Sequence, residues 1–121
     1  MMNNVINWFE LPVNDFSRAR AFYENVLEIS LTETELDDFK SLTFPFDGLN
    51  VSGALVKNQG ADPNQSIILY FNVGAKLSPA IERVKSNYGK IVIEAMPIKS
   101  GYIAHVLDCG GNKIGLFALD A

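Results

Sequence analysis

Two side chains of this sequence are suited to acid–base chemistry, Glu10 and His105, and His105 is the single histidine. Glu10 lies in the segment "VINWFELPVND", two residues after Trp8, the single tryptophan. If this segment is a strand, its period of two places Ile6, Trp8 and Glu10 on one face. A carboxylate next to an imidazole can exchange a proton near neutral pH. The residue types therefore predict a proton-transfer pair, or a ligand site with an indole wall and one charge.

Each of these three residues also has a purely structural explanation. Trp8 can fill a core between two sheets. Glu10 can lie in solvent near the strand end, or pair at the surface with Arg18 or Arg20. His105 can be a core histidine whose hydrogen bonds are satisfied. Both kinds of explanation stay open until the strands that carry the residues are placed.

Length and composition favour one globular domain. The chain has 121 residues, of which 48% are hydrophobic and 20% charged, so it can build one core and is not expected to be disordered. Its net charge is -4 and its Lys and Arg residues are not clustered, which argues against nucleic-acid binding. The start "MMNNVINWFE" has no basic segment followed by an apolar run. No apolar stretch is long enough for a membrane span. We therefore expect a cytoplasmic protein without membrane contact.

Cys109, the single cysteine, lies in the turn sequence "DCGGN". One cysteine cannot form an internal disulfide, and it cannot pair with a second thiol around a soft metal. No basic residue or histidine stands beside it in sequence to activate the thiol. We interpret it as an ordinary turn residue.

The first half of the chain predicts one helix and four strands. After the strand that carries Trp8, Asn14 or Asp15 can cap a helix in "FSRARAFYENVL", where apolar residues recur at helical spacing. The segments "EISLTETEL", "DFKSLTFPFD" and "LNVSGALVKN" then predict three strands joined by hairpins.

The second half repeats this order after a segment rich in Gly, Pro, Asn and Asp. "IILYFNV" predicts a strand, Ser78 and Pro79 predict a helix start, and Gly89 predicts its end. Three more strands follow in "KIVIEAMPI", "GYIAHVLD" and "NKIGLFALD". The two helices align at an offset of half the chain, which indicates an internal repeat. We predict an α+β domain over residues 1–121, with one βαβββ module at 1–57, a linker at 58–65 and a second module at 66–121.

This order of elements resembles the vicinal oxygen chelate superfamily, which contains glyoxalases, bleomycin-resistance proteins and extradiol dioxygenases. The likeness rests on "PVNDFSRARAFYENVLE" after the first strand, on "YGKIVIEAMPIKSGYIAHVLDCGGNKIGLF" at the end, and on the half-length repeat. Cys109 stands where the family usually has proline. The resemblance implies two tandem βαβββ modules whose mixed sheets curve around a cup, and it implies that two chains pair as a homodimer.

The resemblance also identifies where a metal would bind. Enzymes of this family usually hold one divalent ion in the cup, with ligands on the first and last strand of each module. Those four places fall on Trp8, Gly53, Leu69 and Gly115, and none of these side chains can ligate a metal. We therefore expect no metal and no cofactor.

Strand alternation predicts which side chains face the cup. The residues we predict to contact a ligand are mostly apolar, and they are Trp8, Glu10, Leu55, Leu69, Phe71, Ile103, His105 and Phe117. An apolar lining with a few polar groups is typical of a small-molecule site.

Two functions follow from the resemblance and this lining. The first is metal-free binding of a small, largely apolar molecule, as in the bleomycin-resistance branch. The alternative is a lyase or isomerase of the glyoxalase kind, with or without a divalent metal, in which Glu10 acts as base and His105 as acid or orienting group.

Overall fold

The computed structural model describes residues 5–36, 39–48, 50–58 and 67–121. It contains two helices and eight strands in these ranges. In chain order they are β1 (Trp8–Val13), α1 (Phe16–Leu27), β2 (Thr32–Leu36), β3 (Phe39–Thr43), β4 (Ser52–Lys57), β5 (Tyr70–Lys76), α2 (Ser78–Ser86), β6 (Lys90–Ile98), β7 (Gly101–Leu107) and β8 (Lys113–Asp120). Apart from Asn58, the predicted linker at 58–65 lies outside the described residues.

The strands form two four-stranded sheets with the same topology. Their orders are β1-β4-β3-β2 and β5-β8-β7-β6. In each sheet the first and last strands of the module pair in parallel and the other neighbours pair antiparallel. The predicted α+β fold of two βαβββ modules is therefore confirmed, and both sheets are open. No helix in the described ranges is long and apolar enough to cross a membrane.

The two helices begin in different ways. Asp15 caps α1, because its carboxylate accepts a hydrogen bond of 3.0 Å from the backbone N–H of Arg18. The predicted cap of α2 is wrong: Ser78 is already helical, and the capping position is Leu77, which has no side-chain acceptor. Pro79 fits the first turn, where a backbone N–H has no helical partner. The helix α2 ends at Ser86, earlier than the predicted stop at Gly89.

One aromatic cluster joins the two modules in a shared core. Phe9 of β1 lies 6.0 Å from Phe71 of β5, measured between ring centroids. Phe44 lies 5.5 Å from both rings, and Tyr23 of α1 lies 5.7 Å from both Phe44 and Phe71. Because the rings come from both halves of the chain, separating the two modules would expose the cluster to solvent.

The predicted cup face is wrong for Leu55 in the first sheet. Leu55 pairs with Leu11 and Leu42, and its side chain is fully buried in the core that includes α1. Gly53 shares this face because it pairs with Phe9, whereas Glu10 pairs with Ala54 on the opposite face. In "SGALV" every residue is small or apolar, so alternation within β4 does not show which side faces the helix. An error of one residue in the predicted register then assigns every side chain of β4 to the wrong face.

The same correction applies to Phe71 in the second sheet. Phe71 pairs with Leu116, and its ring packs on Tyr23 in the core. Tyr70 therefore takes the open face, together with Gly115, with which it is paired. In "IILYFNV" the face with Phe71 is wholly apolar and the other carries Tyr70 and Asn72, so alternation already favoured Phe71 in the core.

The turn between β7 and β8 connects the second module to the first through side-chain hydrogen bonds. Asp108 accepts hydrogen bonds from the backbone N–H groups of Gly110 and Asn112, both at 2.9 Å, and from the Tyr23 hydroxyl at 2.7 Å. The Asn112 amide donates to the backbone oxygen of Pro12 in β1 at 2.9 Å. Burial raises the pKa of Tyr23 well above its usual range, and the neighbouring Asp108 raises it further.

Alkaline conditions are expected to weaken the fold through this turn. Burial, followed by the effect of Asp108, also raises the pKa of Cys109, to about 11. A group whose pKa is higher in the folded state stabilises the fold fully below its unfolded pKa, and that stabilisation is lost as the pH rises. Unfolded thiols and phenols ionise near about 8.5 and 10. Urea unfolding should therefore show a constant free energy from about pH 7 to 8, then a decline toward pH 11.

Two variants separate the contributions of Cys109 and Tyr23 to the loss of stability at high pH. Cys109→Ala should flatten the part of the decline that begins near about pH 8.5, and Tyr23→Phe should flatten the part above about pH 10. Parallel curves for the parent and both variants would show that neither group causes the decline.

Candidate functional site

A cleft runs between β1 and the start of β5, and it consists of two adjacent pockets. The first, the Glu10 pocket, has a volume of about 260 Å³ and is lined by Phe9, Glu10, Leu11, Pro12, Ile67, Leu69, Asn112 and Lys113. The second, the Tyr70 pocket, has a volume of about 360 Å³ and is lined by Ile6, Phe9, Phe44, Pro45, Val51, Ser52, Leu69, Tyr70, Phe71 and Asn72. Both include Phe9 and Leu69, and together we call them the seam cleft.

Glu10 lines the seam cleft, and its charge has no partner among the described residues. Its carboxylate makes no hydrogen bond or ion pair with any described residue. The proposed surface pairing with arginine is wrong, because Arg18 lies over the Tyr88 ring and Arg20 pairs with Glu24 at 3.2 Å. Glu10 is exposed, as the solvent alternative predicts, and its charge is also accessible to a molecule bound in the cleft.

His105 contacts Tyr70. The Tyr70 hydroxyl lies 2.6 Å from Nε2 of His105, and the two ring centroids are 5.6 Å apart. The other ring nitrogen, Nδ1, is buried and has no hydrogen-bond partner in the described part of the chain. The predicted pairing of Glu10 with His105 does not occur among these contacts.

Strand register explains why Tyr70 and His105 meet. His105 pairs with Gly115, and Gly115 pairs with Tyr70, so the three residues form one row across β7, β8 and β5. Ile93 of β6 extends the row beyond His105. Because Gly115 has no side chain, the Tyr70 ring can lie across it and reach His105.

Tyr70 was missed by sequence reasoning, which placed Leu69 and Phe71 in the cup and so turned Tyr70 away from it. The available signal was the pair of adjacent aromatic residues in "LYF", of which one must face the helices and the other the open side.

The remaining predicted ligand residues lie in three different places. Leu69 and Phe71 line the seam cleft with Glu10. Ile103 and Phe117 are paired with each other on the open face that carries His105. Trp8 is 38% exposed, packs edge-on against Phe46 at 5.5 Å, and so does not fill a core. Their roles in binding stay predictions, and Leu55 could contact a ligand only if the core opened.

Two of the four metal-ligand positions implied by the resemblance are covered by aromatic rings. A Cβ atom on Gly53 would lie 2.5 Å from Cδ2 of Phe9 and would also collide with the Phe9 backbone oxygen. A Cβ atom on Gly115 would collide with the Tyr70 ring. The Tyr70 ring thus occupies the space that a ligand side chain at position 115 would need. The expected placement of position 53 in the cup is wrong, because Gly53 shares the core face with Phe9 and Leu55. The β4 residue on the face of Glu10 is Ala54, which has no metal-binding atom either.

The side chains present do not fit a divalent metal. Within the described ranges, no three His, Cys, Asp or Glu residues lie close enough together to hold an ion. With its pKa raised to about 11, the Cys109 thiol stays protonated near neutral pH, when it is a weak ligand and nucleophile.

Comparison with known proteins identifies relatives along nearly the whole chain. The family model described as "Glyoxalase/Bleomycin resistance protein/Dioxygenase superfamily" matches residues 5–116. The lactoylglutathione lyase of Salmonella typhimurium is 34% identical over 116 residues, which cover 88% of this chain and 86% of the enzyme. The corresponding protein of Escherichia coli O157:H7 is 33% identical over the same coverage.

Solved structures show the same fold at lower identity. A glyoxalase-related enzyme from Fulvimarina pelagi superposes with a TM-score of 0.74 at 18% identity, covering 97% of this chain and 88% of that one. The fosfomycin resistance protein FosX of Listeria monocytogenes, solved with Mn(II) and sulfate, superposes with a TM-score of 0.71 at 15% identity. That match covers 98% of this chain and 93% of FosX.

Proposed function

Because the chain belongs to the glyoxalase/bleomycin resistance protein/dioxygenase superfamily, we propose that it binds a small, largely apolar molecule in the seam cleft without a resident metal. The observation that carries this proposal is the state of the four inherited ligand positions. Trp8 and Leu69 have no metal-binding atom, Gly115 lies under the Tyr70 ring, and neither Gly53 nor Ala54, the β4 residue on the face of Glu10, has such an atom.

The lining of the seam cleft supports the apolar class of ligand. Most of its side chains are aliphatic or aromatic, and the polar ones are few: Glu10, Asn112 and Lys113 in the first pocket, and Ser52, Tyr70 and Asn72 in the second. Pockets of this composition bind small organic molecules, with the polar groups setting their orientation. The Ser52 hydroxyl already contacts the backbone oxygens of Phe44 and Pro45, which leaves it less available.

A second candidate function is a lyase or isomerase of the glyoxalase kind, and the similarity to lactoylglutathione lyases favours it. Glu10 would be the base in this reaction, with His105 as acid or orienting group. Glu10 lines the cleft, but the contact of His105 is with Tyr70. An enediolate formed without a metal would need other donors to stabilise it, so we rank this function second.

Metal content provides the first test. Protein purified after exposure to Ni²⁺, Zn²⁺ or Mn²⁺ and then dialysed should retain far less than one equivalent of any ion by elemental analysis. One retained equivalent, together with its loss in a Glu10→Gln or His105→Ala variant, would contradict a metal-free cleft.

Ligand binding provides the second test, with nitrobenzene as the probe. Nitroaromatic molecules quench indole fluorescence, and Trp8, the single tryptophan, stands next to Phe9 of the cleft. We expect saturable quenching in the parent protein. Leu69→Phe, which fills the point shared by both pockets, should weaken binding roughly tenfold, equivalent to about 1.4 kcal/mol.

The matched control for this test is Leu119→Phe, the same substitution on an exposed residue of β8. It should bind nitrobenzene like the parent. Quenching that rises linearly without saturation, and equally in all three proteins, would reflect collision in solution and would contradict a binding cleft.

The proposal includes a cytoplasmic homodimer with single-domain protomers divided at residues 58–65. Pairing is supported by β6, an edge strand that exposes Val92, Met96 and Ile98, because such strands are usually covered. Sedimentation of the purified protein at micromolar concentration should give twice the chain mass of 13.3 kDa.

A further inference from the structure

We propose that Tyr70 and His105 form a polar anchor in which the Tyr70 hydroxyl donates its proton to an oxygen of the ligand. This inference rests on the proposed function, and it narrows the ligand to an apolar molecule that carries an acceptor oxygen, such as a carbonyl, phenolate or other oxyanion. Neither residue belongs to the inherited metal-ligand set.

Tyr70 lies where the cleft meets the open face of the second sheet. Tyr70 lines the second pocket of the cleft and is 50% exposed, and its ring lies across Gly115 on the open face. Gly115 is one of the positions at which the family places a metal ligand. The phenol ring of Tyr70 thus covers Gly115, a position at which the family usually has a metal ligand.

The hydrogen bond between the Tyr70 hydroxyl and Nε2 of His105 can run in either direction. If the Tyr70 hydroxyl donated to Nε2, neutral His105 would carry its proton on Nδ1, which is buried and has no acceptor among the described residues. Buried N–H groups without an acceptor are rare, because their desolvation is not compensated. The favoured arrangement therefore has the proton on Nε2, which donates to the Tyr70 oxygen.

This direction leaves the hydroxyl proton of Tyr70 unused. The Tyr70 oxygen accepts from His105, so its own proton is free to be donated elsewhere. Its half-exposed position next to the cleft makes a bound molecule the available acceptor. A donor held in place by an imidazole gives most affinity to an oxygen that carries negative charge, because charge-assisted hydrogen bonds are the stronger ones.

The direction of the hydrogen bond can be tested on the unmodified protein. His105 is the single histidine, so a long-range ¹H–¹⁵N spectrum contains one imidazole only. Near pH 8 we expect the Nδ1 shift of an unprotonated nitrogen and the Nε2 shift of a protonated one. A proton on Nδ1 would mean that Tyr70 donates to His105, and this would overturn the proposal.

The anchor itself is tested with two probes of nearly equal shape, nitrobenzene and 4-nitrophenolate. Tyr70→Phe keeps the ring over Gly115 and removes the hydroxyl. It should weaken binding of 4-nitrophenolate roughly tenfold or more and change that of nitrobenzene by less than about twofold. His105→Ala should give an intermediate loss for 4-nitrophenolate, and His105→Gln, whose amide can donate to Tyr70, should restore part of it.

The outcomes separate the anchor from the cleft. If nitrobenzene binds and Tyr70→Phe weakens both probes equally or neither, the anchor is wrong and the proposed function stands. If neither probe binds the parent protein at millimolar concentration, both proposals fail. Thermal unfolding of each variant checks that it is folded, and the spectrum of the parent protein tests the hydrogen bond without any substitution.

Discussion

Asp108→Ala is expected to lower the free energy of unfolding by about 3–4 kcal/mol, one of the largest effects of a single side chain in this protein. The Asp108 side chain is 4% exposed and accepts four hydrogen bonds. Removing it leaves the buried Tyr23 hydroxyl and the buried Asn112 N–H without their acceptor. Each buried donor that loses its partner contributes about 1–3 kcal/mol of destabilisation.

Urea unfolding measures this loss, and two milder variants locate it. Asp108→Asn keeps the oxygen that the Gly110 and Asn112 backbone amides use. Its NH2 can donate to Tyr23 but faces the NH2 of Asn112, so we expect a cost of about 1–2 kcal/mol. Tyr23→Phe should cost a similar amount in the parent protein and almost nothing in the Asp108→Ala background. Such coupling is the signature of a direct interaction. Additive losses, or a loss below about 1 kcal/mol for Asp108→Ala, would contradict the role of this turn.

The same turn illustrates what the sequence could predict. "DCGGN" identifies a tight hairpin by its residue types, and that hairpin joins β7 to β8. The sequence cannot show that Asp108 would also meet Tyr23, which lies 85 residues away. Local rules act over a few residues, whereas such a contact depends on how the two modules dock.

Strand assignments follow the same division between local and distant information. Helix α1 and the order of the strands agree with prediction, because helical spacing, the Asp15 cap and the half-length repeat are local patterns. The faces of Leu55 and Phe71 were wrong, because each follows from pairing with a distant strand. In β4 both faces are small or apolar, so period two does not distinguish the core from the open side. In β5 the polar Asn72 on the face of Tyr70 was a signal that the prediction overlooked.

For the candidate site, the sequence placed Glu10 and His105 on the correct strand faces, but the predicted contact between them was wrong. Glu10 and His105 are both on the faces that alternation predicted, away from the core. They lie on different sheets, and the partner that His105 meets is Tyr70. Tyr70 reaches it across Gly115, and sequence spacing contains no information on a contact across three strands.

The second large effect concerns Gly53 and Gly115, two glycines at which an added Cβ atom would collide with a neighbouring residue. Gly53→Ala should lower the free energy of unfolding by about 3 kcal/mol, the upper part of the range for overpacked sites. Its Cβ atom would collide with the backbone oxygen of Phe9, and β1 and β4 cannot separate without breaking their parallel pairing. Gly115→Ala should cost only about 1 kcal/mol, because it meets the ring of Tyr70, a half-exposed side chain that can move.

A second substitution distinguishes the two mechanisms. Tyr70→Ala should remove most of the additional cost of Gly115→Ala, because the clash is with a side chain. Phe9→Ala should not rescue Gly53→Ala, because the backbone oxygen of residue 9 remains. Chemical denaturation of the two double-mutant cycles measures the difference, and equal rescue at both sites would contradict it.

The consequence for metal binding follows from this asymmetry. A ligand side chain could be reintroduced at position 115 if Tyr70 moved, but at position 53 it would force β1 and β4 apart. Gly115→Glu should therefore displace Tyr70 from His105 without creating a site that retains an ion, because the new carboxylate and His105 supply two ligands and residues 8, 53 and 69 supply none. Retention of one equivalent of Ni²⁺ or Zn²⁺ by Gly115→Glu would show that the other positions are less restrictive than the backbone contact at Gly53 implies.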